Sequence, residues 1–274
     1  MKNKRLPKRL NMLLEGLFIL LAILCAVLPF IYMVLVSLTQ KTTLDLNFSA
    51  SIFNFKNYKR VFDNLNILQN LINSTIVTVC ACLLSCLVSS MAAYGFAMHR
   101  FPGRDKLFMV YLATLMIPGQ VTLIPVFTII KSFHLLNSYA ALILPLLTAF
   151  GVFLVHQFMI GLPTELIEAA CIDGCGEHRI FTFIIIPLIK PVLVSLTIFT
   201  FITAWNDFLW PLVVTTKTEM HTLTLALSAL KGNYITNYGL VMSGTTLAFL
   251  PPFILYILLQ RNFVEGIAMS GIKG

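Results

Sequence analysis

Apolar stretches of membrane-spanning length constrain this chain more than any other feature of its sequence. A helix needs roughly 20 mostly apolar residues to cross about 30 Å of hydrocarbon. Such stretches occupy 12–38, 70–98, 107–130, 139–160, 192–214 and 241–260. Charged side chains make up 11% of the residues, whereas soluble domains carry about 25%. The sequence therefore predicts a single all-α integral membrane domain over 1–274, with six transmembrane helices.

Proline-containing dipeptides interrupt two of the predicted spans. Pro118-Gly119 falls in the third span, and Pro251-Pro252 falls in the sixth. Such breaks are tolerated in lipid where neighbouring helices, hydroxyl side chains or a water-filled cavity satisfy the freed carbonyl groups. They indicate either helices that line a cavity or kinks that only fit the helices together.

The basic residues predict the orientation in the membrane. Of the 19 Lys and Arg residues, most lie before the first span, in the loops after the second and fourth spans, and in the tail 261–274. Short loops rich in these residues stay in the cytoplasm. The net charge of +8 follows this placement and does not indicate a nucleic-acid partner. The first apolar stretch exceeds the apolar core of about 7–15 residues in a signal peptide. We therefore expect a multi-pass protein of the cell membrane, with the first span retained and both termini in the cytoplasm.

A polar loop, 161–191, separates the fourth and fifth spans. Its pattern predicts a helix over 164–173, because Pro163 suits the first helical position, where a missing N–H costs nothing. Gly174 can adopt a positive φ and end this helix, so that a second helix begins near Glu177. The apolar stripe of the first helix is predicted to consist of Leu166, Ile167, Ala170 and Cys171.

The first helix of this loop has the features of a docking surface. Ala169 and Ala170 allow another protein to approach closely. Acidic side chains also stand out on a side of the membrane where cations predominate; they are Glu165, Glu168, Asp173 and Glu177. The sequence therefore favours a cytoplasmic docking helix over a connector that only returns the chain to the membrane.

The same loop carries a spaced motif. Glu168-Ala169-Ala170, three residues, Gly174, nine residues and then Ile184-x-Ile186-Pro187 closely resemble the EAA motif of importer-type ABC permeases. The family pattern usually ends Ile-x-Leu-Pro, so Ile186 is a mild departure at an apolar position. In that family the EAA helix docks in a groove of the ATPase subunit. The resemblance implies that the residues coupling this chain to an ATPase are Glu168, Ala169, Ala170, Asp173, Gly174 and Pro187.

Other segments extend the resemblance over nearly the whole chain. Those similar to carbohydrate-type permeases are Ala92-Ala93-Tyr94-Gly95-Phe96-Ala97 with Arg100-Phe101-Pro102-Gly103, and Ala204-Trp205-Asn206-Asp207-Phe208-Leu209-Trp210-Pro211. The closing Gly271-Ile272-Lys273-Gly274 is similar to the end of the second permease subunit of maltose-type importers. In that family the tail reaches the ATPase interface, which is the role the resemblance implies for these residues.

The family's organisation implies the partners. The chain would pair with a second, different permease subunit, with two copies of a cytoplasmic ATPase, with an extracytoplasmic sugar-binding protein and with membrane lipid. It would bind no cofactor itself, because ATP and Mg are used by the ATPase. The implied function is the import of a sugar or oligosaccharide by switching between outward- and inward-facing states. A phosphorylated polyol is an alternative substrate.

Polar residues within the predicted spans are candidates for the substrate pathway. Asp207 falls near the outer end of the fifth span, where a carboxylate usually faces a cavity or a polar partner. With Trp205, Asn206 and Trp210 it forms a cluster suited to sugar hydroxyls and apolar sugar faces. An aromatic belt at the membrane interface explains the same residues equally well. Three polar residues that open the second span are expected to serve only as caps; they are Asn70, Asn73 and Ser74.

Other functional classes have less support. The sequence has no GxxxxGK[ST] loop, no HExxH and no Ser/His/Asp arrangement, which are patterns that would indicate nucleotide hydrolysis or an enzyme. Cys171 and Cys175 lie near His178 without a fourth ligand, so no metal site is predicted. An ion-driven secondary transporter would need acids near the membrane midplane and internal repeats, for which Asp207 alone is thin support.

Overall fold

The computed structural model describes residues 8–39, 54–231 and 237–271. Within these ranges the chain consists of helices and their connections, without β-strands. This confirms the all-α fold class. The α-helices are α1 (Lys8–Ser37), α2 (Lys56–Asn64), α3 (Ile67–Met98), α4 (Arg104–Ala113), α5 (Gly119–Ser132), α6 (Tyr139–Ile143), α7 (Ala149–Met159), α8 (Glu165–Ile172), α9 (Glu177–Arg179), α10 (Ile186–Leu188), α11 (Lys190–Asn206), α12 (Leu209–Val214), α13 (Leu223–Ser228) and α14 (Tyr238–Gly271).

Several of these helices have membrane-spanning length. Three are long and apolar enough on their own: Leu14–Ser37 within α1, Ile67–Met98 and Tyr238–Leu258 within α14. Three more stretches reach this length only when two helices joined at a bend are counted together. The bend is 105° between Arg104–Met116 and Gly119–Ser132, and 43° between Tyr139–Leu146 and Ala149–Met159. It is 73° between Glu177–Leu188 and Lys190–Asn206. The count of six spans stays a prediction.

Proline acts differently at the two predicted breaks. Pro118 lies directly before α5, at the bend of 105° where the helix is interrupted. In contrast, α14 continues through Pro251 and Pro252, so the predicted interruption of the last span is wrong. The proline ring fixes φ near −65°, which is a helical value, and other groups can satisfy the carbonyls that lose a donor.

The chain divides into two compact units, the first formed by residues up to 65 with 227–249, and the second by 66–226 with the residues from 250 onward. In the first unit, Asn57 of α2 holds the end of α1. Its buried amide donates to the carbonyl oxygens of Ser37 at 3.0 Å and of Thr39 at 2.6 Å. Gly239 lies so close that an added Cβ would overlap the Thr39 carbonyl oxygen, so glycine is required there.

In the second unit, α3 is the central helix and packs along α7 and α11. Small side chains permit this packing. Ala81 and Ala93 are fully buried, and Gly151 of α7 approaches α3 so closely that a Cβ would overlap the Ser89 hydroxyl. Helices in membranes associate through such small residues because lipid gives no hydrophobic driving force between them.

Polar side chains also join α3 to α11. The Thr200 hydroxyl donates to the Ser85 hydroxyl at 3.4 Å, and both side chains are buried. The Cys86 sulfur lies 3.3 Å from the Thr197 hydroxyl. Contacts of this kind between membrane helices satisfy groups that lipid cannot, so they fix how the two helices face each other.

Candidate functional site

The helix α8 ends in a glycine turn. Gly174 has a φ of +76°, a left-handed value that glycine adopts without a steric cost. Its N–H donates to the Cys171 carbonyl at 3.0 Å, and the N–H of Cys175 donates to the Ala170 carbonyl at 3.0 Å. These two bonds form a Schellman motif, which satisfies carbonyl groups at the helix end. The prediction that Gly174 ends this helix with a positive φ is confirmed.

The start of α8 differs from the prediction. The N–H groups of Ile167 and Glu168 both donate to the Thr164 carbonyl at 3.0 Å, so Thr164 is the N-cap and Glu165 the first helical residue. Pro163 therefore lies outside the helix, one residue before the cap, and not at the first helical position.

One face of α8 is open. Residues at the spacing i, i+3, i+4 and i+7 share a face of a helix, and in α8 all four such residues are exposed: Glu165, Glu168, Ala169 and Ile172. Ile172, a large apolar side chain, has 86% of its surface exposed. The face therefore combines negative charge with an apolar anchor.

The opposite side of α8 packs on other helices of the second unit. Ala170 is buried in a cluster with Tyr94 of α3 and with Met159 of α7, and Ile167 packs against that cluster. Leu166 and Cys171 are exposed, so half of the predicted apolar stripe is wrong. A helix of 8 residues makes only about two turns and can bury only a narrow stripe against one neighbouring surface.

The chain after Gly174 follows the motif to its end. The second helix of the loop begins at Glu177, as predicted, and passes from α9 into a π-helix, Ile180–Ile185, and then into α10. Ile185 and Ile189 are fully buried, whereas Pro187 is exposed. The apolar end of the motif thus fixes this segment to the core directly before the bend of 73° that leads into α11.

Glu177 makes contacts that its position in the sequence does not indicate. Its Oε1 accepts a hydrogen bond from the Tyr94 hydroxyl at 2.6 Å and lies 2.9 Å from Nε2 of His99. The Tyr94 ring meets His99 edge-on and packs against Phe181, in both cases with ring centroids 5.2 Å apart. These contacts join the C-terminal end of α3 to the start of α9.

The three residues assigned to the substrate pathway lie at the junction of α11 and α12. The Trp205 ring is buried and stacks with Phe201 at a centroid distance of 5.6 Å. Asn206 is exposed, and its amide donates to the Ile202 carbonyl within its own helix at 2.9 Å. Asp207 follows the last residue of α11 and accepts from the Trp210 backbone N–H at 3.3 Å. The carboxylate thus helps to start α12, and a role in the pathway stays a prediction.

The polar residues that open α3 do more than cap it. The Asn73 amide is fully buried and donates to the carbonyl oxygens of Glu219 at 2.7 Å and of His221 at 3.0 Å. The Ser74 hydroxyl accepts from the Leu223 N–H at 2.8 Å. The expected capping role is therefore wrong for these two residues, because their partners lie far along the chain, in the connection before α13 and at the first residue of α13. The one available signal was the spacing of polar residues on a single face of α3.

The predicted C-terminal contact with an ATPase falls mostly outside the described residues. Gly271 is the last residue of α14, and Ile272, Lys273 and Gly274 lie beyond the described ranges. Within those ranges, no group of three or more His, Cys, Asp and Glu side chains could hold a metal ion.

Comparison with known proteins shows which family has this sequence and this helical architecture. The family of binding-protein-dependent transport system inner membrane components matches residues 85–268, a region that contains α8 and the whole motif. Among solved structures, the chain is similar to a chain of a bacterial ABC transporter involved in the import of the acidic polysaccharide alginate. The TM-score is 0.81 and the identity 22%, with 95% of this chain and 99% of that chain covered.

Known relatives match over 73–100% of this chain. The arabinooligosaccharides transport system permease protein AraQ of Halalkalibacterium halodurans is 36% identical, with 100% of both chains covered. The lactose transport system permease protein LacG of Rhizobium radiobacter is 34% identical over 97% of this chain and 98% of its own. The sn-glycerol-3-phosphate transport system permease protein UgpE of Shigella flexneri is 36% identical over 73% of this chain and 72% of its own.

These relatives are transport components and not enzymes, and the match to the family covers more than half of the chain. The several helices of membrane-spanning length agree with a component that lies within the membrane. The chain therefore belongs to the family of binding-protein-dependent transport system inner membrane components, as a permease subunit of an ABC importer.

Proposed function

We propose that this permease subunit imports an oligosaccharide or a smaller sugar. The support comes from relatives named for arabinooligosaccharides and lactose, which match this chain over nearly its full length. The relative named for sn-glycerol-3-phosphate covers a smaller share of the chain, and a phosphorylated polyol is accordingly the second candidate substrate.

The proposed complex contains this chain, a second and different permease, two copies of a cytoplasmic ATPase and an extracytoplasmic sugar-binding protein. Membership of a binding-protein-dependent family supports the general composition. ATP and Mg are used by the ATPase, and this chain supplies the route through the membrane. Both termini lie in the cytoplasm, in accordance with the basic segments near them.

The open face of α8 is the observation that carries the docking assignment. Glu168 and Ala169 lie on it within the EAA motif, and Ile172 offers 86% of its surface to a partner. Apolar side chains in well-packed pockets supply much of the binding energy of protein interfaces. The other face is fixed by Ala170 and by the Schellman motif at Gly174, so a force applied to α8 is passed to the helices that pack against it.

This arrangement fits an alternating-access mechanism. ATP binding closes the ATPase dimer, the docked α8 moves with it, and the attached helices switch between outward- and inward-facing arrangements. Such a switch requires a rigid element that both sites can bias. In this chain α8 is that element, because it is short, anchored on one face and open on the other.

The experiment is reconstitution of the complex in proteoliposomes with its own ATPase, its second permease and its sugar-binding protein. ATP-dependent uptake of labelled arabino-oligosaccharide, lactose and glycerol 3-phosphate identifies the substrate class. Glu168→Lys should abolish uptake and release the ATPase, because it reverses a charge on the docking face. Asp63→Lys also reverses the charge of an acidic side chain, on an exposed residue of α2, and it should have no effect on uptake or on ATPase binding. Uptake that needs no ATPase and collapses with an ionophore would contradict the proposal and indicate a secondary transporter.

A further inference from the structure

Two separate helices meet at one carboxylate beside α8. Glu177 is the first residue of α9, Tyr94 lies in the last turns of α3, and His99 directly follows α3. The Tyr94 hydroxyl and the His99 Nε2 both approach the same oxygen, Oε1 of Glu177, at 2.6 Å and 2.9 Å. A single carboxylate oxygen therefore joins the end of α3 to the segment that follows α8.

The two contacts differ in strength. Tyr94 is 7% exposed, and a hydrogen bond from a shielded hydroxyl to a carboxylate is short and strong. The side chains of His99 and Glu177 are 47% and 59% exposed, so water and salt weaken their attraction. The bond from Tyr94 is therefore the main contact, and His99 adds to it.

Hydrogen-bonded turns lie on both sides of Glu177 in the chain that follows α8. The Cys175 N–H donates to the Ala170 carbonyl of α8 at 3.0 Å, and the N–H of Arg179 donates to the Gly176 carbonyl at 2.8 Å. Glu177 lies between these two bonds. A displacement of α8 therefore reaches the Glu177 side chain through a short, hydrogen-bonded turn.

We propose that Tyr94, Glu177 and His99 form a latch that transmits the movement of α8 to α3, so that Glu177 is a positioning residue for transport. The inference rests on the proposed function, in which α8 receives the ATPase. α3 is the recipient of the movement because it packs along both α7 and α11. The buried side chain of Ile180 and the ring of Phe181 hold α9 and the π-helix against the core, and the latch fixes their direction relative to α3.

The test uses the reconstituted complex and measures ATP hydrolysed per substrate molecule transported. Tyr94→Phe removes the hydroxyl and keeps the ring against Phe181, and Glu177→Ala removes the carboxylate. Each should raise the ATP-to-substrate ratio about fivefold or more, the size of a typical coupling between sites. The double variant should be no worse than the stronger single variant, because both changes break the same contact. Asp105→Asn removes an acid whose ion pair, among the described residues, is with the adjacent Arg104, and it should leave the ratio unchanged.

Recovery of the ATPase with each variant serves as the second measurement. It should equal that of the wild-type complex, because Tyr94 packs with Ala170 on the buried side of α8 and not on its open face. An unchanged ratio in Tyr94→Phe, additive effects in the double variant, or loss of the ATPase from these complexes would each overturn the latch. A wild-type complex without substrate-stimulated ATP hydrolysis would instead reject the proposed function, before any latch variant is compared.

Discussion

Asn73 donates a hydrogen bond of 3.0 Å from its side-chain amide to the backbone carbonyl of His221, although 148 positions separate the two residues. The same amide also donates to the Glu219 carbonyl, and its oxygen accepts from the Tyr139 hydroxyl at 2.8 Å. One buried side chain thus joins α3, the start of α6 and the connection that precedes α13. An asparagine can do this because its amide offers two donors and an acceptor.

Replacing Asn73 by Leu should destabilise the second unit. The change leaves two carbonyl groups and a hydroxyl without this partner, at about 1–3 kcal/mol for each of them that stays shielded from water. Thermal unfolding of the purified chain in detergent measures the loss. Thr75→Ala on the exposed side of α3 removes only a bond to the Leu71 carbonyl in the same helix, and it should unfold as the wild type does. Equal stability of Asn73→Leu would show that these bonds contribute nothing.

Gly174 offers a test of the turn that ends α8. A Cβ would meet no atom within 4 Å there, so the cost of a substitution comes from the φ of +76° alone. Gly174→Val should lower uptake strongly, whereas Gly174→Asn should be milder, because asparagine tolerates the left-handed region. Gly176→Ala is the control, since its φ is −73° and its surroundings are equally open. Equal uptake in the valine and asparagine variants would contradict the strain argument.

Asp207→Asn separates a structural role of the carboxylate from a role in transport. The amide oxygen can still accept from the Trp210 N–H, so the start of α12 should persist. We expect stability to be equal or higher, because a charge that is costly near the membrane is lost. Uptake should fall or change its substrate range if Asp207 lines the pathway. Wild-type uptake rate and affinity, together with a higher unfolding temperature, would assign the residue to the helix start alone.

The orientation in the membrane predicts a labelling pattern. After replacement of the 6 native cysteines, Ser51→Cys and Thr218→Cys should react with an impermeant maleimide added from outside intact cells. Gly103→Cys and Gly176→Cys should react only after the membrane is opened. Labelling of Gly103→Cys in intact cells would reverse the assignment of the termini to the cytoplasm.

Deletion of the closing residues tests the predicted tail contact. Removal of Gly271, Ile272, Lys273 and Gly274 should weaken recovery or stimulation of the ATPase while the amount of permease in the membrane stays the same. The expected reason is loss of a contact at the ATPase interface, as implied by the resemblance to the second permease of maltose-type importers. Unchanged recovery and an unchanged ATP-to-substrate ratio would leave the tail without this role.

Features encoded in neighbouring residues were predictable from the sequence. The positive φ of Gly174 follows from a glycine at the end of a helical pattern. The reversal at Gly103, with φ +83°, likewise follows from Pro102-Gly103 between two apolar stretches. Both depend on backbone sterics within a few residues, so no knowledge of distant contacts was needed.

Features that depend on distant partners were not predictable. The exposure of Leu166 depends on which surface α8 rests against, and its helical position does not decide that. Glu177 was recognisable as an acid in the docking loop, but the Tyr94 hydroxyl that it binds lies 83 positions away. Asn73 was similarly interpreted as a cap, because nothing near it in the chain identifies the carbonyl groups to which it donates.

The π-helix after α9 has a geometric consequence of its own. Each of its hydrogen bonds spans five residues where an α-helix spans four, so Ile180–Ile185 are wound more widely and extend less far along the axis. Rewinding these residues as an α-helix would lengthen the segment and rotate Pro187 relative to Glu177. This segment lies between Glu177, which Tyr94 of α3 binds, and the bend of 73°. Its backbone can therefore lengthen along the helix axis by rewinding, which a regular α-helix could not do.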